Sequence, residues 1–276
     1  MTACPVGCAA PLIDSRIVLA EGPLRRCVEC GQLVCSATEA QYLHSLGRFD
    51  HTAGTLLNAR SQSRHDKNTA RRLGRIAAAL GCAPASIRLL DVGCSNGAFL
   101  LTARQLGFQV EGVEPSADGA RCGTHRVHRL SGTGVLSGRG VRRRDPDRSR
   151  RAPARRTGVA QGVRAHPETG GVILVTTPNA HSWTARAMGA RWAGFSLNDM
   201  GGHISFFNPQ SMRILATRSG LQVHHLETRN VRFFERGQCP PVIHGAAKIA
   251  AELLNWPARI AGTGHDLHAY LRRPQP

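Results

Sequence analysis

Apolar positions recur at spacings of three and four in DKNTARRLGRIAAAL, residues 66 to 80, where Ala70, Leu73, Ile76, Ala77 and Leu80 share one face. That period predicts an amphipathic helix, and Gly81 supplies its stop. The pattern then changes. Ile87 to Val92 is a short apolar run that predicts a strand, 93 to 97 a tight turn of small residues, 98 to 106 a helix and 108 to 113 a second strand. Further on, Val172 to Thr176 predicts a buried strand. Asn208 as cap, Pro209 at the first helical position and Gly220 at the end then bracket a helix that precedes a strand from Leu221.

The first of these groups is a β-turn-α-β unit with glycines where backbone must approach a ligand. It has an acidic residue, Glu114, about 20 positions further on, where ribose hydroxyls are bound in such units. The dinucleotide pattern G-x-G-x-x-G is absent, because Ser95 and Asn96 stand in the turn. LLDVGCSNG resembles instead motif I of the class I S-adenosylmethionine-dependent methyltransferases, with Ser95 in place of the middle glycine, and VEGVEPS resembles their second-strand motif. The TTPN strand end, the H-x-x-F-F segment at His203 and GTGHDLHAYLRRP resemble later parts of a small-molecule subgroup of that family. The resemblance covers roughly residues 66 to 120 and 170 to 273. It implies an α/β fold with a doubly wound, Rossmann-like sheet of seven strands and S-adenosylmethionine as cofactor. By the same resemblance Gly93, Cys94, Ser95, Asn96 and Gly97 lie against its methionine portion, Asp91 orients the turn or the sulfonium end, and Glu114 holds the ribose.

Cysteines add a second feature. Cys4, Cys8, Cys27 and Cys30 follow the pattern C-x3-C-x18-C-x2-C, two close pairs separated by room for a strand or two, which is how a zinc knuckle gathers four thiolates. Gly7 permits the sharp turn that the longer first spacing needs. A closed four-thiolate site leaves no position for substrate, so the expected role is structural, with the metal supplying folding energy to a small module. Such a knuckle also precedes the catalytic domain in some relatives of the resembled family that act on sugars. The expected organisation is a knuckle at 1 to 35, a linker or helical lid at 36 to 65 and a methyltransferase domain at 66 to 273.

Charge first suggests a different partner. The net charge of +18 is a nucleic-acid signature if it is spread over a binding face. It is not spread evenly: residues 121 to 170 hold 13 arginines and 3 acidic residues, so +10 of the +18 comes from under a fifth of the chain. That window has no aromatic residue for base stacking and is too poor in large apolar residues to supply a core strand. A class I methyltransferase needs an apolar central strand in this window. Back-translated and read one nucleotide later, GVRRRDPDRSRRAPA permits FDAVTLIEVVEHL, and RAHPETGG permits ARILKPGG, the two motifs expected there. The reading adopted is that 121 to 170 are out of frame between two compensating indels. On that reading the segment lies outside the core as irregular or poorly defined chain and leaves a gap beside the first strand.

The sequence thus predicts a cytoplasmic enzyme with no membrane segment or secretory signal, moving a methyl group to a small-molecule acceptor. His203 is the candidate base, with a structural histidine as the equal alternative, and His181 comes second. Trp183 and Trp192 line either the acceptor site or the core. Two other readings stay open: a zinc-ribbon nucleic-acid protein, or nucleic-acid methyltransferase, using the arginines at 139 to 164, and a cofactor-binding scaffold without chemistry. The acceptor atom and the oligomeric state are not legible.

Overall fold

A computed structural model of the chain describes residues 3–50, 59–94, 97–113, 127–128, 138–143, 171–197, 203–234 and 241–274. In chain order the elements are β1 (Leu12–Leu19), β2 (Gly22–Cys27), β3 (Leu33–Val34), α1 (Glu39–Asp50), α2 (Ala59–Leu80), β4 (Ile87–Val92), α3 (Ala98–Gln105), β5 (Gln109–Val113), β6 (Val127–His128) and β7 (Gly138–Arg143). They continue with β8 (Val172–Pro178), α4 (Trp183–Met188), β9 (Ser205–Phe206), α5 (Pro209–Arg218), β10 (Gln222–Arg229), α6 (Pro241–Ile260) and β11 (Asp266–Arg272). The protein is therefore of mixed α/β class. No described helix is long and apolar enough to cross a membrane.

Two compact units divide the chain. One comprises Met1–Phe49, Thr176–Arg218 and His225–Ala269, the other Asp50–Val175, Ser219–His224 and Tyr270–Pro276. The first unit holds a four-stranded sheet in the order β1-β2-β3-β9. Its N-terminal strands do not close on themselves: Leu33 pairs with Phe206 and Val34 with Ser205, so a segment from far along the chain completes the sheet. Leu24, Leu33, Cys35, Trp192, Phe195 and Phe206 form its core, with the Trp192 and Phe195 rings edge to face at 4.6 Å. Trp192, at 1% exposure, packs in this core.

The second unit is built on the predicted β-turn-α-β element. Leu73, Ile76 and Leu80 of α2 pack with Ile87 and Leu89 of β4 and with Phe99, Leu100 and Ala103 of α3. Gly81, at φ 62°, ends α2, and the N–H of Cys82 bonds back to the Ala77 carbonyl, as the sequence predicts for a glycine stop. The helix starts earlier than its periodicity shows, at Ala59, because its first turns are polar. β4 and β5 run parallel, with Leu89 opposite Val110 and Val92 opposite Val113.

The larger sheet has seven strands in the order β10-β11-β8-β7-β4-β5-β6. Two of them, β6 and β7, lie inside the arginine-rich segment, whose other residues up to 170 lie outside the described ones; β7 corrects the expectation of a gap beside the first strand. β6 pairs parallel with β5, and β7 lies between β4 and β8, antiparallel to both: Leu89 is opposite Val141, and Val141 is opposite Val172. The reason is that the facing edges of β4 and β8 carry rows of N–H and C=O groups that need partners once buried. Any extended backbone supplies those bonds, so GRGVRR meets the requirement whatever its side chains.

α5 begins as the sequence predicts. The Asn208 Oδ1 accepts from the Gln210 and Ser211 N–H groups at 2.9 Å each, the Ser211 Oγ accepts from the Asn208 N–H at 3.0 Å, and Pro209 takes the first helical position. Gly220, at φ 70°, lies just past its end.

Candidate cofactor and metal sites

Ile87, Leu89 and Asp91 alternate on the buried face of β4, so the sequence that makes the strand also carries a carboxylate into the interior at its C-terminal end. Asp91 is 1% exposed, a costly place for an acid that nothing apolar demands. The chain then turns at Gly93, φ 77°, and enters α3 through Gly97, φ 71°. Both are left-handed conformations that glycine adopts without a steric penalty. The Gly97 N–H bonds the Cys94 carbonyl at 2.9 Å and the Gly97 carbonyl accepts from Leu101 at 2.9 Å, which closes the turn onto the helix. Cys94 is buried within the turn. Asp91, Gly93, Cys94 and Gly97 thus lie together between the end of β4 and the start of α3. Ser95, Asn96 and Glu114 lie outside the described residues.

Two supports of this turn escaped the sequence reading. Gly112 on β5 faces it so closely that a Cβ there would stand 2.7 Å from both the Cys94 Sγ and the Leu100 Cδ1. A glycine interrupting a strand pattern was the available signal. The second is Asp66 on α2, whose Oδ1 accepts from the Thr102 hydroxyl of α3 at 3.0 Å and from Gln62 at 2.9 Å. Burial acts to raise its pKa, but the bonds from Thr102 and Gln62 and the neighbouring His65 outweigh it and hold the carboxyl below its ordinary value. Such polar pairs between elements have no periodic signature.

In the first unit the four predicted cysteines converge. Cys4, Cys8, Cys27 and Cys30 are all buried, their sulfurs lie within 4.8 Å of one another, and the Cys4 and Cys30 sulfurs are 3.6 Å apart. Thiolates at the corners of a zinc tetrahedron stand about 3.8 Å apart, so the set fits a zinc ion. Each pair is shaped by a glycine turn: Gly7, φ 85°, donates to the Cys4 carbonyl, and Gly31, φ 67°, to the Cys27 carbonyl. Burial pushes the Cys8 thiol up to about 11 against hydrogen bonds from Cys30 and Arg218 that favour the thiolate. At Cys27 burial is outweighed by the backbone N–H groups of Cys30 and Glu29, which bring the thiol below its ordinary value. Arg218 also donates to the Glu29 carboxylate at 2.8 Å and to the Val6 carbonyl at 3.3 Å, clasping both loops.

The same loops are tied to the segment around β9. Asn208 donates to the Cys30 carbonyl at 3.1 Å, Gln210 to the Glu29 carbonyl at 3.2 Å and Gln32 to the Ser205 hydroxyl at 2.8 Å. His203, partly buried, immediately precedes this segment in the first unit. His181 lies against Gly31, where a Cβ would come within 3.3 Å of its ring. Its burial, reinforced by Arg186 and Arg26, holds the imidazole pKa below its ordinary value. Trp183 packs against Val231, Ala251 and Ala258.

The family model described as a methyltransferase domain matches residues 62–160, under half of the chain. The matched span begins in α2, contains the whole Gly93–Gly97 turn and breaks off inside the arginine-rich segment. Among solved structures, a SAM-dependent methyltransferase from Archaeoglobus fulgidus is similar at 14% identity and a TM-score of 0.45, over 77% of this chain and 94% of that one. A protein from Galdieria sulphuraria proposed to be a sarcosine dimethylglycine methyltransferase is similar at 13% identity and a TM-score of 0.43, over 83% of this chain and 98% of that one. No curated protein matches. The matched span includes β4, α3 and β5, and it does not identify an acceptor.

Proposed function

We propose that the protein is an S-adenosylmethionine-dependent methyltransferase acting on a small-molecule acceptor, with a structural zinc ion held by Cys4, Cys8, Cys27 and Cys30. One observation carries this: a strand ending in the buried Asp91 runs through two left-handed glycines into α3, inside the span that matches a methyltransferase domain. The glycines let backbone approach a ligand where any Cβ would intervene. When bound, the cofactor supplies a methyl group activated by its sulfonium. The chain's part is to hold and align. The backbone of 93 to 97 takes the methionine portion, Asp91 orients the turn, and Glu114 accepts from the ribose hydroxyls. His203 takes a proton from an acceptor that must lose one. The seven-stranded order supports a doubly wound, Rossmann-like domain over 66 to 273, with the cysteine module at 1 to 35 in front of it. A cytoplasmic setting suits a site that needs reduced thiolates.

We also infer that residues 121 to 170 are an out-of-frame reading of the same gene. Supporting this is β7, which occupies the central position but runs against both neighbours, whereas a doubly wound sheet places a parallel strand there. The shifted reading, FDAVTL, begins at Val141, within that strand. Resequencing the source DNA tests the inference: an uninterrupted frame through 121 to 170 contradicts it. Calorimetric titration with S-adenosylhomocysteine tests the proposed activity. Micromolar binding that Glu114→Ala weakens by about 1 to 3 kcal/mol is expected, and unchanged affinity in that variant removes Glu114 from the site.

A further inference from the structure

α6 packs Ala251, Leu254 and Ala258 inward and turns four large apolar residues outward. Ala251 and Ala258 are 7% and 0% exposed against Val231, while Ile249, Leu253, Trp256 and Ile260 are 66%, 73%, 72% and 67% exposed. A solvated helix has the opposite arrangement. Together the four outward side chains present on the order of 500 Å² of apolar surface, near the upper end of what a monomer leaves bare.

Their positions identify what covers them. The spacing 4-3-4 is the a/d seam of a coiled coil, a narrow stripe rather than the broad apolar face of a helix lying in a membrane interface. It also reads the same in both directions. An antiparallel copy of the helix, related by a two-fold axis, therefore sets Ile249 opposite Ile260 of the second copy and Leu253 opposite its Trp256, all in one register. That register places Glu252 beside Arg259 of the second copy, and by symmetry the reverse, so opposite charges meet on the flank. Glu252 is exposed, and the Arg259 side chain is 47% exposed while its guanidinium lies 3.6 Å from the buried Glu227 carboxylate, so it reaches the surface from an anchored position. Ala250 and Pro257, which face each other on the other flank, are compact enough for close approach. The flank of the stripe mixes signs, with Glu252 between Lys248 and Arg259, so it is not the uniformly basic face that anionic lipid selects.

We propose that α6 is a self-association surface through which two copies of this chain form an isologous dimer by antiparallel helix pairing. The seam is shorter than a standard interface, roughly 800 Å² per partner, so association falls in the micromolar range.

Sedimentation velocity on the full, zinc-loaded chain from about 1 to about 100 µM reads this directly. A concentration-dependent monomer-dimer equilibrium is expected. Leu253→Glu or Trp256→Glu should weaken it by at least about tenfold, since central apolar anchors dominate such contacts; both sites are on the surface, so circular dichroism should match the parent. Glu252→Arg should weaken it several-fold, because it sets like charges against Arg259 of the second copy. Oxidation of the Leu253→Cys/Trp256→Cys variant should give a covalent dimer on a non-reducing gel. A monomer throughout the range, or a dimer indifferent to Leu253→Glu, overturns the proposal. So does a monomer that binds phosphatidylserine vesicles in a manner abolished by Leu253→Glu, because the face would then belong to lipid.

Discussion

Gly112 on β5 lies directly under Cys94 in the turn after β4, with 2.7 Å between the position of a Cβ at 112 and the Cys94 Sγ. Contacts that short do not occur, so a side chain at 112 must push the turn away from the strand. Leu100 of α3 is crowded by the same atom at 2.7 Å. The glycine thereby sets how closely Cys94 and α3 approach β5, beside the turn proposed to meet the cofactor.

Gly112→Ala is accordingly expected to cost about 1 to 3 kcal/mol of stability, the usual penalty for overpacking, and to weaken S-adenosylhomocysteine binding. Cys94→Ala should recover part of the stability loss. Thermal unfolding of the single and double variants checks this, and strictly additive effects would separate the two residues.

Gly97 cannot take a side chain cheaply either, because its φ of 71° is left-handed. Gly97→Val is expected to destabilise by at least about 1 to 2 kcal/mol and to reduce cofactor affinity more than a surface substitution of equal cost. Chemical denaturation and titration on the same sample separate the two effects.

The Asp66 carboxyl, held below its ordinary pKa, stabilises the fold above the unfolded-state pKa of about 3.9. Its contribution is lost as the pH falls through the lower folded-state value. The difference in Tm between the parent and Asp66→Asn should therefore be present near pH 6 and shrink as the pH falls below about 4. A difference that grows on acidification would contradict the assignment.

Purified protein prepared without chelator is expected to carry one equivalent of zinc, and Cys27→Ser or Cys30→Ser to release it. Because Asn208, Gln210 and Gln32 tie the cysteine loops to the segment around β9, metal loss should also loosen 203 to 210. Metal analysis and hydrogen exchange on the same preparations test both statements.

The β4-turn-α3-β5 element was legible because periodicity, small turn residues and glycine stops agree there: β4 spans Ile87 to Val92, the same residues as the apolar run. The four cysteines were legible from spacing alone, since metal geometry constrains sequence locally. β9 was not, because a two-residue strand has no pattern of its own and exists only through its pairing with Leu33 and Val34. β7 was missed for a related reason: its partners select it by backbone, and nothing in GRGVRR announces a strand. α6 escaped because its outward apolar stripe, with alanines behind it, reads as neither a buried nor a solvated helix. Gly112 and the Asp66–Thr102 bond depend on which elements stack, information that lies outside any single window.

On the proposed function, the turn from Gly93 to Gly97 binds S-adenosylmethionine for methyl transfer. Isothermal titration of the frame-restored chain with S-adenosylhomocysteine, beside the same titration with a nicotinamide dinucleotide, tests it most directly. Micromolar binding of the first, lost in Gly97→Val, and no binding of the second are expected. A folded chain that ignores S-adenosylhomocysteine, or prefers the dinucleotide, would contradict it.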